Sequence, residues 1–253
     1  LASSAASDVY KRQVKQQPEA EAVIRRICAE QNVPYEAADQ DSAEVLEASI
    51  TGQTFLYKGE KYTISLAGAY QKENAVAALR ALEILNEQGY PTTLVQRQDG
   101  LKRTTWPGRF ALLGTEPDFV VDGAHNPAAA DMLAASIERY FTGEELILIM
   151  GVFKDKEYEK IVQILCPSAK RVYTVDLPNK ERTLPAEKLA ECVRDCMTEQ
   201  MSVYAEKSIG DAVAKAYTYA TEDSGKRAVI ACGSLSYLCL LYTSPSPRDA
   251  HES

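Results

Sequence analysis

From about residue 106 onward, short apolar runs alternate with segments whose apolar residues recur every three or four positions. The runs predict β-strands, and the periodic segments predict α-helices packed on a sheet. The predicted strands are Phe119–Asp122, Leu146–Gly151, Arg171–Val175, Met201–Tyr204 and Ala228–Cys232, and the helices are Pro127–Phe141, Tyr158–Leu165, Pro185–Met197 and Ile209–Ala220. Repeated strand–helix–strand units require right-handed crossovers and a mainly parallel sheet. We therefore expect residues 106–238 to form a Rossmann-like α/β domain of five or six strands.

The first hundred residues follow a less regular pattern. Helical spacing of apolar residues alternates with β-prone runs that flank a Lys-Gly-Glu turn. The predicted elements are a helix over Pro18–Gln31, a hairpin of Thr54–Tyr57 and Lys61–Leu66, a helix over Asn74–Gln88, and a short helix within residues 90–105. This mixture indicates part of a second α/β unit.

Composition excludes several classes of protein. The 253 residues suffice for one large or two small domains. The formal net charge is −8, so the basic stripe of a nucleic-acid-binding surface is not expected. No run approaches the roughly 18 apolar residues of a transmembrane helix, so we expect no membrane partner.

The six cysteines do not form a metal-binding pattern. Cys192 and Cys196 are one helical turn apart, but the sequence has only two histidines, and His251 lies in the C-terminal tail. We therefore expect no metal site in this chain and favour buried thiols in a reducing cytosol. We accordingly expect a cytoplasmic protein, and we also expect a monomer.

Both ends of the chain look foreign to the rest. Residues 1–13 lack the charged-then-apolar layout of a signal peptide, and residues 239–253 are polar and end in LYTSPSPRDAHES. Both segments are similar to translated sequencing-adapter sequence. We expect that neither is native and that the gene is truncated on both sides, so His251 is given no function.

Two motifs place charged groups within twenty residues of each other. Trp106-Pro107-Gly108-Arg109 is followed by Asp122-Gly123-Ala124-His125-Asn126-Pro127. Asn126 is a predicted N-cap with Pro127 at the first helical position. Asp122 and His125 should therefore lie at the carboxyl end of a strand, facing a helix N-terminus, where open parallel sheets bind ligands and where anions are favoured.

Three more polar segments follow predicted strands in the same way. They are the Gly151–Lys156 loop, Asp176 and the pair Gly233-Ser234. Because the carboxyl ends of parallel strands meet at one edge of a sheet, we expect these segments and Asp122 to line that edge.

The usual nucleotide-binding loops are missing from the sequence. It contains neither Gly-x-x-x-x-Gly-Lys-Ser/Thr nor Gly-x-Gly-x-x-Gly. The nearest segment, Ser224-Gly225-Lys226-Arg227, lacks the first glycine and the hydroxyl that would contact magnesium, and it predicts a turn instead. The α/β domain is thus not expected to bind a dinucleotide in the usual manner.

Together the motifs resemble the folylpolyglutamate synthase/dihydrofolate synthase family, which is related to the Mur ligases. Trp106–Arg109 and Asp122–Pro127 match the family's W-P-G-R and D-G-A-H-N-P unaltered, and three further stretches match in order: Gly68–Ala75, Gly151–Lys156 and Gly233–Leu235. Tyr70 stands where the family usually has His. The resemblance covers residues 14–238 and implies that residues 14–100 are the C-terminal remnant of a central ATP-binding domain, followed by a C-terminal ligase domain over 106–238.

The resemblance also implies a reaction. Family members use ATP and Mg²⁺ to convert a carboxylate of dihydropteroate or folate into an acyl phosphate, from which the amine of L-glutamate displaces phosphate. Positioning and charge neutralisation should supply much of the catalysis. The phosphate-binding loop and magnesium ligands belong to a part of the family's N-terminal domain that this sequence lacks, so the fragment should be inactive alone, and its partners should be small molecules.

Residue roles carried over from the family come with structural alternatives. Arg109 is expected to contact phosphate, or else to pair with a carboxylate such as Glu116. Asp122 is expected to bind the nucleotide, or else to interact with a helix dipole. Asn74 is expected to bind ATP, or else to serve only as an N-cap. His125 is expected to bind glutamate, or else to be a loop histidine bonded to the backbone. Ser234 is expected to bind glutamate, or else to be a turn hydroxyl. The expected catalytic residues are Arg109, Asp122 and His125.

Two other functions remain open on sequence grounds. One is a non-catalytic α/β binding domain, and the other is a Mur-type amino-acid ligase of the bacterial cell wall. The W-P-G-R and D-G-A-H-N-P pair disfavours the Mur-type ligase, because Mur ligases vary both motifs.

Overall fold

The computed structural model describes residues 11–13, 18–196, 201–222, 225–237 and 241. The chain divides into two compact units, Leu1–Thr105 and Trp106–Ser253. Apart from residues 11–13 and 241, the two terminal segments expected to be foreign lie outside the described residues, and so does Met197 at the predicted end of a helix.

Within its described residues, the first unit combines two small sheets with three α-helices. Its elements are β1 (Lys11–Gln13), α1 (Pro18–Glu30), β2 (Tyr35–Ala37), β3 (Ala43–Ser49), β4 (Gly52–Tyr57), β5 (Glu60–Ile64), α2 (Gln71–Glu87) and α3 (Leu94–Arg103). β1 pairs with β2 in parallel, and β3, β4 and β5 form an antiparallel sheet. The predicted helix α1, the β4–β5 hairpin and the short helix α3 are confirmed.

Two features of this unit differ from the sequence prediction. β3 was not predicted, because Ala43–Ser49 is rich in helix-favouring residues and mostly exposed, and only its pairing with β4 makes it a strand. Helix α2 begins at Gln71 and not at Asn74, after Tyr70, whose side chain makes no capping bond. Gly89, with φ of +92°, follows the helix end in the left-handed conformation that glycine favours there.

A buried apolar cluster holds the first unit together. Alternate residues of β4 and β5 pack against one side of α2, and Phe55 stacks on Tyr62 with ring centroids 5.9 Å apart. The members are Ala38, Ala43, Phe55, Tyr57, Tyr62, Ile64, Ala75, Val76 and Leu79.

The second unit is the predicted α/β domain. Its elements are β6 (Ala111–Thr115), β7 (Asp118–Val121), α4 (Pro127–Phe141), β8 (Glu145–Met150), α5 (Tyr158–Leu165), β9 (Ala169–Val175), α6 (Ala186–Asp195), β10 (Ser202–Glu206), α7 (Ile209–Thr221) and β11 (Arg227–Cys232). Each strand and helix predicted from the alternating pattern is present, with ends that move by at most two residues wherever the structure describes them.

The six strands form one sheet in the order β10-β9-β8-β11-β7-β6. Five of them are parallel, and β6 pairs antiparallel with β7 at one edge. The mainly parallel α/β fold is confirmed. β6 was missed because its five residues are only partly buried and are interrupted by an irregularity at Gly114, so the run is short and its pattern weak.

Alternating side chains of the strands face helix α7. Phe119, Ile147, Tyr173 and Val229 belong to a buried cluster that takes in the small residues Ala212, Ala216 and Ala220 of α7. Alanines at every fourth position let the helix approach the sheet closely. Within the described part of the chain, no helix is long and apolar enough to cross a membrane.

Candidate functional site

The loops predicted to meet at one edge of the sheet do follow the carboxyl ends of parallel strands. Val121, Met150 and Cys232 are the last residues of three neighbouring strands, and register pairs join Ala231 to Val121 and Cys232 to Met150. Asp122 N donates to Ala231 O over 2.9 Å, so the first loop residue is still hydrogen-bonded to the sheet. The polar loops of the second unit are thus brought together as expected.

Asp122 is buried, with 4% of its surface exposed, and both carboxylate oxygens accept backbone bonds. Phe110 N donates to Oδ2 and Ala124 N donates to Oδ1, each over 2.8 Å. The carboxylate therefore joins the two halves of the motif pair, twelve residues apart. This local role was not foreseen, because Phe110 carries no sequence signal for it.

The Trp106–Arg109 motif forms a tight turn. Gly108 and Phe110 have φ of +72° and +48°, and both are buried. Gly108 suits this left-handed conformation, whereas Phe110 is held there by the bond from its amide to Asp122. Gly123 N donates to Gly108 O over 2.8 Å, which gives the turn a second tie to the Asp122 loop.

Arg109 lies between these two left-handed residues and is half-buried. None of the ion pairs in the described part of the chain involves it, so the alternative pairing with Glu116 is wrong. Trp106 of the same motif is 62% exposed. The motif therefore offers a cation that no carboxylate among the described residues neutralises.

His125 is half-buried, and its Nδ1 lies 2.8 Å from Gly123 O. Because a carbonyl oxygen only accepts, Nδ1 carries the proton in this arrangement, and neutral His125 presents Nε2 as an acceptor. Asn126 Oδ1 accepts from Ala129 N over 2.9 Å with Pro127 at the first helical position, so the predicted N-cap of α4 is confirmed.

Ser234 follows β11 in a turn that needs a glycine. Gly233 has φ of +106°, and a Cβ there would lie 2.4 Å from Gly151 O. Ser234 is 3% exposed, and its Oγ accepts from Ser236 N over 3.1 Å and lies 2.9 Å from Ser236 Oγ. The turn-hydroxyl alternative thus describes its local bonding.

Tyr237 secures this turn and was missed by the sequence analysis. Its side chain is fully buried, and its hydroxyl bonds to Ile149 O and to Cys232 O, which belong to β8 and β11. The only signal was a tyrosine two residues beyond the matched motif, which does not distinguish it from the chain's other tyrosines.

The Gly151–Lys156 loop is tied to the loop that follows β9. Arg182 makes a two-pronged contact with Asp155, at 2.9 and 3.2 Å, and its guanidinium lies over the Phe153 ring at 4.4 Å. The bond from Arg182 holds the pKa of Asp155 below its ordinary value. Asp155 is therefore an ion-pair partner and not a free carboxylate.

Asn74 belongs to the first unit and is exposed on the first turn of α2. Its Nδ2 donates to Gln71 Oε1 over 3.0 Å, so the N-cap alternative is wrong. The loop before this helix is fixed by buried Gln53, whose Nε2 donates to Leu66 O, Ala67 O and Gly68 O.

Cavities and acidic clusters add little to this picture. A cavity of about 790 Å³ lies further along the same sheet edge, between the loop after β9 and the start of α7, and its lining includes Asp176 but none of the residues assigned a role from the sequence. Among the described residues, no group of three or more His, Cys, Asp or Glu side chains could hold a metal ion. The five cysteines in those ranges are free.

A family comparison gives the class of protein to which this fold and these loops belong. Residues 108–235 match the family described as Mur ligase, glutamate ligase domain, and the match spans half of the chain. The chain belongs to this family.

Individual relatives of the chain have more specific names than the family description. The chain is 29% identical over 175 residues to the folylpolyglutamate synthase of Lacticaseibacillus casei, a match that covers 66% of this chain and 41% of that protein. It is 29% identical over 157 residues to the dihydrofolate synthase/folylpolyglutamate synthase of Bacillus subtilis, covering 59% of this chain and 36% of the relative. The chain therefore spans well under half the length of these relatives.

A solved structure shows the same fold. The folylpolyglutamate synthase of Mycobacterium tuberculosis, solved with ADP and AMPPCP, superposes with a TM-score of 0.78 over 93% of this chain and 56% of that one. The sequence identity is 23%, so this likeness speaks for the fold alone.

Proposed function

We propose that this chain is the C-terminal part of an ATP-dependent carboxylate–amine ligase that adds L-glutamate to folate or dihydropteroate through an acyl phosphate. The observation that carries the proposal is Arg109, a cation that makes no ion pair within the described ranges and whose backbone lies beside the Asp122 hydrogen bonds at the edge of a mainly parallel sheet. Membership of a glutamate ligase family and folate-specific relatives support the substrate class.

Arg109 would neutralise negative charge on the phosphates of ATP. A guanidinium is always ionised and donates two parallel bonds to phosphate oxygens, so it suits charge that develops as the γ-phosphoryl group moves to the carboxylate. Its partly exposed position at a sheet edge fits an anionic ligand. Asp122 would act in nucleotide binding at the same loop, where its carboxylate accepts backbone bonds from Phe110 N and Ala124 N.

His125 and Ser234 would hold the incoming glutamate. With Nδ1 bonded to Gly123 O, the Nε2 lone pair of His125 can accept a hydrogen bond or a proton from the attacking amine. Ser234 already accepts a bond from Ser236 N, which fixes its Oγ, and its hydroxyl proton can turn towards a carboxylate. Asn74 of the first unit is exposed and would contact ATP with its side-chain amide.

Magnesium does not fit the described residues. They include no group of three or more His, Cys, Asp or Glu side chains that could hold a metal ion, and the sequence has no phosphate-binding loop whose hydroxyl could contact magnesium. We therefore assign no step to Mg²⁺ within this chain. The metal and most of the pterin pocket would belong to the part of the ligase that this sequence does not contain, so residues 1–253 should be inactive alone.

A glutamate-incorporation assay tests the proposal. The protein encoded by the complete reading frame should form ADP only when glutamate and either dihydropteroate or tetrahydrofolate are both present. Residues 1–253 alone should give no product above the no-protein control. Absence of turnover by the complete protein with both pterins would overturn the proposal, and activity only with a cell-wall precursor carboxylate would favour the Mur-type alternative.

A further inference from the structure

Arg109 has a fixed backbone, but no ion pair among the described residues holds its side chain. Arginine loses much rotamer freedom when it is ordered, so a guanidinium that must meet a phosphate needs contacts that confine it.

The side chains around Gly123 provide such contacts for Arg109. A Cβ built on Gly123 would lie 2.2 Å from Leu235 Cδ2, 2.5 Å from Leu235 Cγ and 2.6 Å from Arg109 Nη1. Real Cβ atoms essentially never approach other heavy atoms within 3.0 Å, so the space of this missing side chain is filled by Leu235 and Arg109. The two side chains are therefore neighbours above the bare α-carbon of Gly123.

Leu235 is also one of the exposed large apolar residues, with 40% of its surface accessible. It follows Ser234 in the turn that Gly233 and Tyr237 fix to the sheet. Its position is therefore set by the sheet, whereas its apolar side chain remains at the surface beside a cation.

We infer that Leu235 is a positioning residue for Arg109, confining the guanidinium to the space above Gly123. Its methyl groups keep water from one side of the guanidinium, which strengthens the attraction between the cation and an approaching anion. Gly123 is required because any larger residue would occupy the same space. The functional meaning of this arrangement rests on the proposed phosphate contact of Arg109, but the arrangement itself can be tested without it.

The first test uses chemical modification of the 253-residue chain. Phenylglyoxal reacts with accessible guanidinium groups, and peptide mass spectrometry gives a rate for each arginine. Leu235→Ala should raise the rate at Arg109 severalfold and leave exposed Arg194 on α6 unchanged. Leu235→Met should stay close to the unmodified chain because it restores an apolar side chain of similar volume.

A matched control and a second variant make the result decisive. Leu85→Ala removes a leucine of nearly the same exposure, 41%, from the first unit and should not change the rate at Arg109. If circular dichroism shows that Leu235→Ala does not fold, the modification rate at Arg109 is compared in Leu235→Val instead, because valine removes fewer atoms. An unchanged or slower rate at Arg109 in a folded Leu235 variant would overturn the inference.

Kinetics of the complete ligase then separate positioning from structural support. Leu235→Ala should lower kcat/KM for ATP severalfold with the KM for glutamate unchanged, and Leu235→Met should recover most of the loss. An equal loss towards both substrates would contradict a role through Arg109. If the complete protein had no ligase activity, the proposed function would fail while the modification rates would still decide the role of Leu235.

Discussion

Replacing Asp122 should destabilise the second unit, and not only weaken nucleotide use. Asp122→Ala removes the acceptor of two backbone bonds, from Phe110 N and Ala124 N, both buried and both 2.8 Å long. Bonds to a charged group contribute about 1.5–3 kcal/mol each, so the loss should be about 3–6 kcal/mol. That is a large fraction of the roughly 5–15 kcal/mol that stabilises a typical domain.

Two variants separate the effect of these bonds from the effect of charge. Asp122→Asn keeps one acceptor oxygen but turns an NH₂ group towards the other backbone amide. Its free energy of unfolding should therefore lie between that of the wild type and that of Asp122→Ala. Asp118→Asn, at the start of the strand that precedes Asp122, is the control, because burial raises the pKa of Asp118 and its charged form is disfavoured in the fold. Its replacement should therefore leave stability unchanged or slightly higher at pH 7.

Urea unfolding followed by circular dichroism gives the free energies, and hydrogen exchange at Phe110 and Ala124 locates the change. The two amides should exchange much faster in Asp122→Ala. A loss of stability below about 0.5 kcal/mol, which is the usual range for surface substitutions, together with unchanged exchange at both amides, would refute the assigned bonding.

Three further predictions concern catalysis and pH. In the complete ligase, Arg109→Ala should reduce kcat/KM on the order of 10²–10³-fold because one preorganised charge is lost. Arg109→Lys should recover only part of the loss, because an ammonium cannot form the two-pronged contact. Steady-state kinetics with Arg194→Ala as the control test this prediction, and a change below about threefold in Arg109→Ala would contradict it. His125→Ala should raise the KM for glutamate, measured at saturating ATP, and a change confined to the ATP parameters would assign His125 elsewhere. Burial alone would raise the pKa of Glu83, but bonds from Lys58 and Arg80 outweigh it and lower that pKa. The stability that Glu83 contributes is thus present above its unfolded pKa and lost as pH falls through the folded one. Urea midpoints of the wild type should therefore fall with acid more steeply than those of Glu83→Gln, and parallel curves would contradict the pairing.

The sheet and the edge at which its loops meet could be predicted because both depend on local patterns. The alternation of apolar runs with helically spaced segments predicted the parallel strands. Parallel strands bring the loops after Val121, Met150 and Cys232 to the same edge of the sheet. The N-cap at Asn126 was equally local, since it needs only Asn, Pro and the next turn of helix. These elements follow from neighbours in sequence.

The missed features depend on contacts between distant residues. β3 is a strand only because β4 pairs with it, and helix propensity in Ala43–Ser49 points the other way. Asp122 accepts a bond from Phe110, whose left-handed backbone has no sequence signal. The proximity of Leu235 to Arg109 arises from two loops more than a hundred residues apart, and a pattern along the chain does not report it.

An isotope-transfer experiment tests the proposed reaction most directly. The complete ligase would be given dihydropteroate or tetrahydrofolate with both oxygens of the reacting carboxylate replaced by ¹⁸O, together with ATP and glutamate. When the carboxylate attacks the γ-phosphorus and the amine later displaces phosphate, one carboxylate oxygen leaves with that phosphate. We predict one ¹⁸O in the inorganic phosphate for each amide formed, measured by mass spectrometry. Inorganic phosphate without ¹⁸O, or no amide product with either pterin, would contradict the account.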